Sequence, residues 1–323
     1  MTGPPVQSAK RMLKAKFSYA KALDDSEFFG WDLQAVLIEY QTRKGGLRTD
    51  GVLDYATQVA LGTVVKRKST LGTIFTVQGT GVDMNTGYPA DLARELLGDW
   101  YWQPVGNYPA AAFPMGPSVQ QGRAQLIMDI RNHPGRIVLA GYSQGAIVVS
   151  LVWLLDILPK DGVLHDRLGD VVAAITWGNP CRELAVANGN KFAGWPVPDG
   201  RGISDTRLTN TPAWWMDFAH GANSQWGRDI YTDTPNTAAG DDMTAIYRVV
   251  QNVSGIVGPG SLAVRVAAML TNPMVEIPAA IQAIYFGGQF IAYNPPTLPH
   301  VNYDIAPAVD YMRSVTAQLR AAA

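Results

Sequence analysis

Apolar residues recur along this chain with two different periods. From Trp31, the residues Leu33, Val36, Leu37 and Tyr40 fall on one face of a helix. After Gly45-Gly46 and a turn at Asp50-Gly51, a second amphipathic helix begins at Asp54 or Thr57. Residues 1 to about 20 read as a weakly structured basic lead. Residues 62–70, with Lys66-Arg67-Lys68, read as a solvated linker. Beyond it short β-branched runs take over: Thr73–Gln78, Trp102–Val105, Arg136–Ala140, Val171–Trp177 and Pro212–His220. Helical stretches alternate with them at Pro89–Leu97, at Ser118–Ile130 and at Ala146–Leu155, and a closing helix spans 304–320. Strands alternating with helices predict an α/β fold around a parallel sheet. Residues 180–205, rich in Gly, Pro and Asn, read as a long loop. From 241 to 291 the text turns helical, with breaks at Gly258-Pro259-Gly260 and Asn272-Pro273, and predicts an inserted helical subdomain. Asn294–His300 is a proline-rich extended loop.

Composition narrows the class. The chain has 323 residues, enough for one large domain or two unequal ones; 47% are hydrophobic and 16% charged, which implies a sizeable core. A net charge of −1 gives no electrostatic footprint for nucleic acid. The single cysteine, Cys181, excludes an intrachain disulfide and reads as a free structural thiol. The first sixteen residues lack the apolar stretch of a signal peptide, and no run reaches the roughly 20 apolar residues of a membrane span. The expectation is a protein made in a cytoplasm and released by another agent. There is no internal repeat.

The candidate chemistry centres on Gly141-Tyr142-Ser143-Gln144-Gly145, between the Arg136–Ala140 run and an all-apolar helix. Strand, G-x-S-x-G and helix in that order form a nucleophile elbow. The turn lifts the Ser143 hydroxyl above the sheet edge and aims the first helical N–H groups, that of Gln144 foremost, at a developing oxyanion. Gly79-Thr80-Gly81 closes the first strand of the sheet, where Thr80 is placed to supply a second oxyanion donor. Four histidines are available as base: His133, His165, His220 and His300. The chain order Ser…Asp…His favours His300, in a late loop before the last helix, with His220 as the alternative. The orienting carboxylate falls between them. Spacing leaves Asp229 and Asp233 open, whereas Asp217 lies within a strand. No His/Cys cluster has ligand spacing, so neither a metal nor another cofactor is expected.

Together the Gly-Tyr-Ser-Gln-Gly pentapeptide, Gln78-Gly79-Thr80-Gly81, Gly178-Asn179-Pro180, Trp214-Trp215, the helical insertion and Leu298-Pro299-His300 resemble the lysin B family of mycobacteriophages. These are mycolylarabinogalactan esterases related to cutinases. The resemblance covers residues 70–323. It implies a cutinase-like α/β hydrolase at 67–323, acting on the ester between mycolic acids and arabinogalactan of the host envelope during lysis. Gly227-Arg228-Asp229-Ile230-Tyr231 resembles the segment that holds the acid in cutinases, which favours Asp229 over Asp233. Residues 1–66 resemble a small helical peptidoglycan-binding domain, with Asp54 where that family usually has glycine. Peptidoglycan is therefore an expected partner, and a monomer the expected state. The apolar stripe that includes Met274, Ile277 and Ile281 is expected to form an acyl groove. A general cutinase- or lipase-like esterase and a non-catalytic wall-binding phage protein remain the alternatives.

Overall fold

A computed structural model describes residues 2–64, 70–111, 115–252 and 299–322. They fall into two compact units, Met1–Ser69 and Thr70–Ala323.

Among its described residues the first unit holds three α-helices: α1 (Pro4–Lys16), α2 (Trp31–Lys44) and α3 (Tyr55–Leu61). The basic lead expected at residues 1–20 is in fact α1. Proline opens it, where the missing N–H costs nothing. Val6, Ala9 and Leu13 line one side and pack with Leu33, Leu37 and Leu61. Three apolar positions among lysines are a weak signal alone, and partner helices complete the core. Gln41 of α2 ties the following turn: its Oε1 accepts the Gly51 N–H at 2.9 Å, and its Nε2 donates to Val52 O at 2.8 Å. Asp54 caps α3 by accepting the Thr57 N–H at 2.7 Å, a bond worth about 1 kcal/mol.

The second unit is built on five parallel strands: β1 (Gly72–Val77), β2 (Tyr101–Pro104), β3 (Arg136–Tyr142), β4 (Val171–Trp177) and β5 (Trp215–Phe218). Their order is β2-β1-β3-β4-β5. Successive residues of β3 serve opposite layers, as the pleat demands. Ile137 and Leu139 face a core shared with α5 (Met115–Asn132), α6 (Gln144–Val152) and α8 (Ala238–Asn252). Val138 and Ala140 face the core closed by α4 (Gly87–Glu95) and α9 (Ala306–Ala321). Both faces are covered, which is why β3 reads as an unbroken apolar run. The chain leaves β1 for β2 on one side and β3 on the other, so the crevice at this switch point lies between the ends of β1 and β3.

Several boundaries differ from the sequence expectation. The loop expected at 180–205 contains α7 (Asn188–Ala193), whose Asn188 and Asn190 side chains bond the backbone around β5. Helix α5 starts at Met115 rather than at Ser118, because the Ser118 hydroxyl is used elsewhere. Helix α8 starts at Ala238, ahead of the insertion expected at 241–291. Most of that insertion, the Met274–Ile281 stripe and the loop before Pro299 lie outside the described residues, as does the Lys66-Arg67-Lys68 linker. Among the described residues no helix is long and apolar enough to cross a membrane.

Candidate active site

Ser143 sits at the turn between β3 and α6 with φ 54° and ψ −118°, a strained backbone for a residue with a side chain. Its N–H donates to Trp177 O at 3.0 Å, pinning the turn to the end of β4. Both flanking glycines are sterically required. A Cβ on Gly145 would stand 2.1 Å from Val77 O, and one on Gly141 would stand 2.8 Å from Gly145 O. The elbow thus exists because β1 and α6 approach closer than any side chain permits.

His300, in a short turn at Pro299–Val301, meets the serine. Its Nε2 lies 2.8 Å from Ser143 Oγ, and its Nδ1 lies 2.8 Å from Asp229 Oδ2. An ionised Asp229 only accepts, so Nδ1 carries the proton and Nε2 accepts from the hydroxyl. All three groups are buried. Burial pushes the Asp229 carboxyl up, but His300 beside it, the Tyr303 hydroxyl and the Tyr231 N–H outweigh that and hold it below the usual range. The imidazole is framed as well. Tyr142 donates its hydroxyl to His300 O at 2.9 Å and stacks on the ring, and Tyr231 packs against it at 4.7 Å. A Cβ on Gly178 would stand 2.8 Å from His300 Cε1, so the Gly-Asn-Pro turn leaves room for the ring.

The alternatives are engaged elsewhere. His220 donates from Nε2 to Asn302 O at 2.8 Å and accepts the Ser224 hydroxyl at Nδ1, also at 2.8 Å. Asp233 accepts the Gly200 N–H and pairs with Arg228 at 3.1 Å. Asp217 accepts Asn179 Nδ2 at 2.9 Å and the Thr176 hydroxyl. Cys181 is fully buried, and burial pushes its thiol up to about 12, which leaves it inert. Among the described residues no cluster of His, Cys, Asp and Glu could hold a metal ion.

Thr80 and Gln144 come together beside the serine turn through a side chain that sequence reasoning did not single out. Gln144 Nε2 donates to Thr80 Oγ1 at 3.0 Å and to Ala111 O at 2.9 Å. Its Oε1 accepts the hydroxyls of Tyr108 and Ser118, both at 2.8 Å. All four hydrogen-bonding positions of the amide are filled. The residue after Ser143 therefore fixes the loop after β1, the loop before α5, and α5 itself. Because Thr80 Oγ1 accepts from the amide, its own O–H is left to donate elsewhere. Tyr303, three residues past His300, and Tyr142 were missed in the same way. A tyrosine that holds a carboxylate looks in sequence like one more core aromatic.

No protein-family model matches the chain. It is 37% identical over 257 residues to endolysin B of Mycobacterium phage D29, covering 75% of this chain and 98% of that protein. It is 35% identical over 256 residues to endolysin B of Mycobacterium phage L5, with the same coverages. The crystal structure of lysin B from mycobacteriophage D29 superposes with a TM-score of 0.61, covering 76% of this chain and all of that one. With identity above a third across nearly the whole length of these relatives, the chain belongs to the endolysin B family of mycobacteriophages.

Proposed function

We propose that this chain is a serine esterase that cleaves the ester joining mycolic acids to arabinogalactan in the mycobacterial envelope during phage lysis. The observation that carries the reading is the unbroken relay from Ser143 Oγ through His300 to Asp229, each step 2.8 Å. Ser143 attacks the acyl carbonyl and passes its proton to His300 Nε2. Asp229 holds the ring in the tautomer that can accept it and stabilises the imidazolium that forms. The oxyanion is met by the Gln144 N–H at the start of α6 and by the Thr80 loop; one such donor is worth about 3 kcal/mol of barrier. Collapse of the intermediate breaks the bond to the sugar oxygen, which leaves with the proton from His300. Water activated by the same imidazole then releases the fatty acid and restores Ser143. The chemistry needs no metal or cofactor.

The first unit, in this reading, holds the enzyme on peptidoglycan. Its fold follows from the apolar face of α2 and the Asp54 cap, and Trp31 at the start of α2 is 87% exposed. An indole left so open is an anchor available for a wall glycan.

The decisive experiment is Ser143→Ala assayed on p-nitrophenyl butyrate and on purified mycolyl-arabinogalactan. Activity is expected to fall by more than about a thousandfold on both, with the melting temperature retained. Residual activity above about a hundredth of wild type on either substrate refutes the assignment.

A further inference from the structure

A cleft of about 390 Å³ opens beside His220 and Asn302, within the range of about 300–1,000 Å³ usual for small-ligand sites. Its wall includes Trp195, His220, Asn223, Gln225, Trp226 and Asn302. None of these belongs to the Ser143–His300–Asp229 relay. Asp304 is the only charged side chain among the described residues of the wall.

The loop that displays Trp226 is built to be stiff. The Ser224 N–H donates to Gly221 O and the Gly227 N–H to Ser224 O, both at 3.0 Å, while the Trp226 N–H donates to Ser224 Oγ at 3.2 Å. The same hydroxyl donates to His220, which anchors the loop to the end of β5. A tryptophan 39% exposed on a loop so tied presents its indole to solvent. Trp195 supplies a second indole, held by its packing on Phe218 and His220.

This chemistry selects its ligand. Among the described residues of the wall no lysine or arginine is present to hold a phosphate or carboxylate. Amides and an imidazole along the wall would be desolvated by an acyl chain with no return. Indole faces with neutral amides beside them suit a sugar ring: the polarised C–H face packs on the electron-rich indole, and the hydroxyls pair with the amides. The cleft also adjoins the relay. His220 holds Asn302, two residues beyond His300, and stacks at 4.5 Å on Tyr303, whose hydroxyl donates to Asp229. One tyrosine ring, that of Tyr303, thus links the wall to the acid.

We propose that the cleft binds sugar rings of the glycan that bears the scissile ester, with Trp226 stacking on a ring and Asn223 and Gln225 pairing with its hydroxyls. The proposal rests on the reading of the chain as an esterase of a lipid–glycan ester. The full chain is titrated with base-treated, acyl-free mycobacterial arabinogalactan while tryptophan emission is followed. Wild type, Trp226→Ala and Gln225→Ala are also assayed on p-nitrophenyl butyrate and on mycolyl-arabinogalactan. Trp226→Ala is expected to lose part of the emission change and about tenfold in kcat/KM on the glycan ester, while butyrate hydrolysis stays within about twofold of wild type. Gln225→Ala is expected to show a smaller loss of the same kind. If both variants titrate and turn over the glycan ester like wild type, the subsite is refuted and the esterase reading stands. Equal losses on both substrates also refute it, since the residues would then serve the fold. A wild-type protein inactive on both esters sinks the esterase reading itself.

Discussion

At the scale of single residues, the site is defined by which polar atoms are already taken. Asp229 and Asp233 are four positions apart and both are buried, yet only Asp229 reaches His300. Asp229→Asn is therefore expected to lower kcat by about three to four orders of magnitude, because an amide favours the wrong tautomer. Asp233→Asn breaks only the ion pair with Arg228 and the bond from Gly200, and should cost stability rather than chemistry. Comparing the two rates on p-nitrophenyl butyrate checks this, and the reverse ranking would move the acid. Gln144 makes a second case. Gln144→Ala keeps the backbone N–H but strands the hydroxyls of Tyr108 and Ser118 and frees Thr80. Each buried group left without a partner costs about 1–3 kcal/mol. The variant should lose about ten- to a hundredfold in kcat with a smaller change in KM. A loss confined to the melting temperature would reduce the amide to a structural tie.

At the scale of elements, helix α5 carries a group that works against the fold near neutral pH. Asp129 is buried on α5; its Oδ1 accepts Gln125 Nε2 at 3.0 Å, and its Oδ2 has no partner among the described residues. Burial pushes its carboxyl up from 3.8 to about 6. With a folded-state value above the unfolded one, stability is fully present below about 3.8, where both states are protonated, and is lost as pH rises through about 6. Asp129→Asn should therefore stabilise the protein by about 1–3 kcal/mol at pH 7.5, with the difference vanishing below about pH 4. Denaturant unfolding of both proteins at the two pH values measures it. An equal difference at both would mean that the carboxyl does not titrate with folding. The turn at Ser143 is the other element that carries strain. Its two glycines let β1, β3 and α6 approach so closely that strain concentrates at Ser143, the residue whose hydroxyl meets His300.

At the scale of the whole molecule, the two units have separate cores. Val6, Leu13, Leu33 and Leu37 belong to one, and the layers on either side of the sheet belong to the other. The relay draws all its members from residues beyond Thr70. A chain beginning at Thr70 should therefore keep p-nitrophenyl butyrate hydrolysis within a fewfold of the full chain. It should be retained less on purified peptidoglycan, and Trp31→Ala in the full chain should weaken retention in the same direction. Equal retention of the truncated and full chains would remove the wall-binding role from the first unit. Loss of butyrate hydrolysis on truncation would show that the enzyme depends on the first unit for its fold.

The local order of the chain determined the parallel α/β class and the tight turn at Ser143. Each rests on short-range chemistry: β-branched runs, glycines where no Cβ fits, and an apolar helix next in line. The Asp54 cap was legible for the same reason, since it acts three residues away. Helix α1 escaped because its apolar face is narrow and its partners lie in α2 and α3. Helix α7 escaped because its asparagines pair with backbone from β5, far along the chain. The sequence only favoured Asp229 over Asp233 and His300 over His220; which carboxylate meets which imidazole was decided by the tertiary structure. In each pair both residues are buried and hydrogen-bonded, and only the packing of distant segments decides which partner each one meets. The same holds for Gln144, Tyr303 and the indoles beside the acid. A side chain's type is written in the sequence, but its partner is set by contacts tens to hundreds of residues apart.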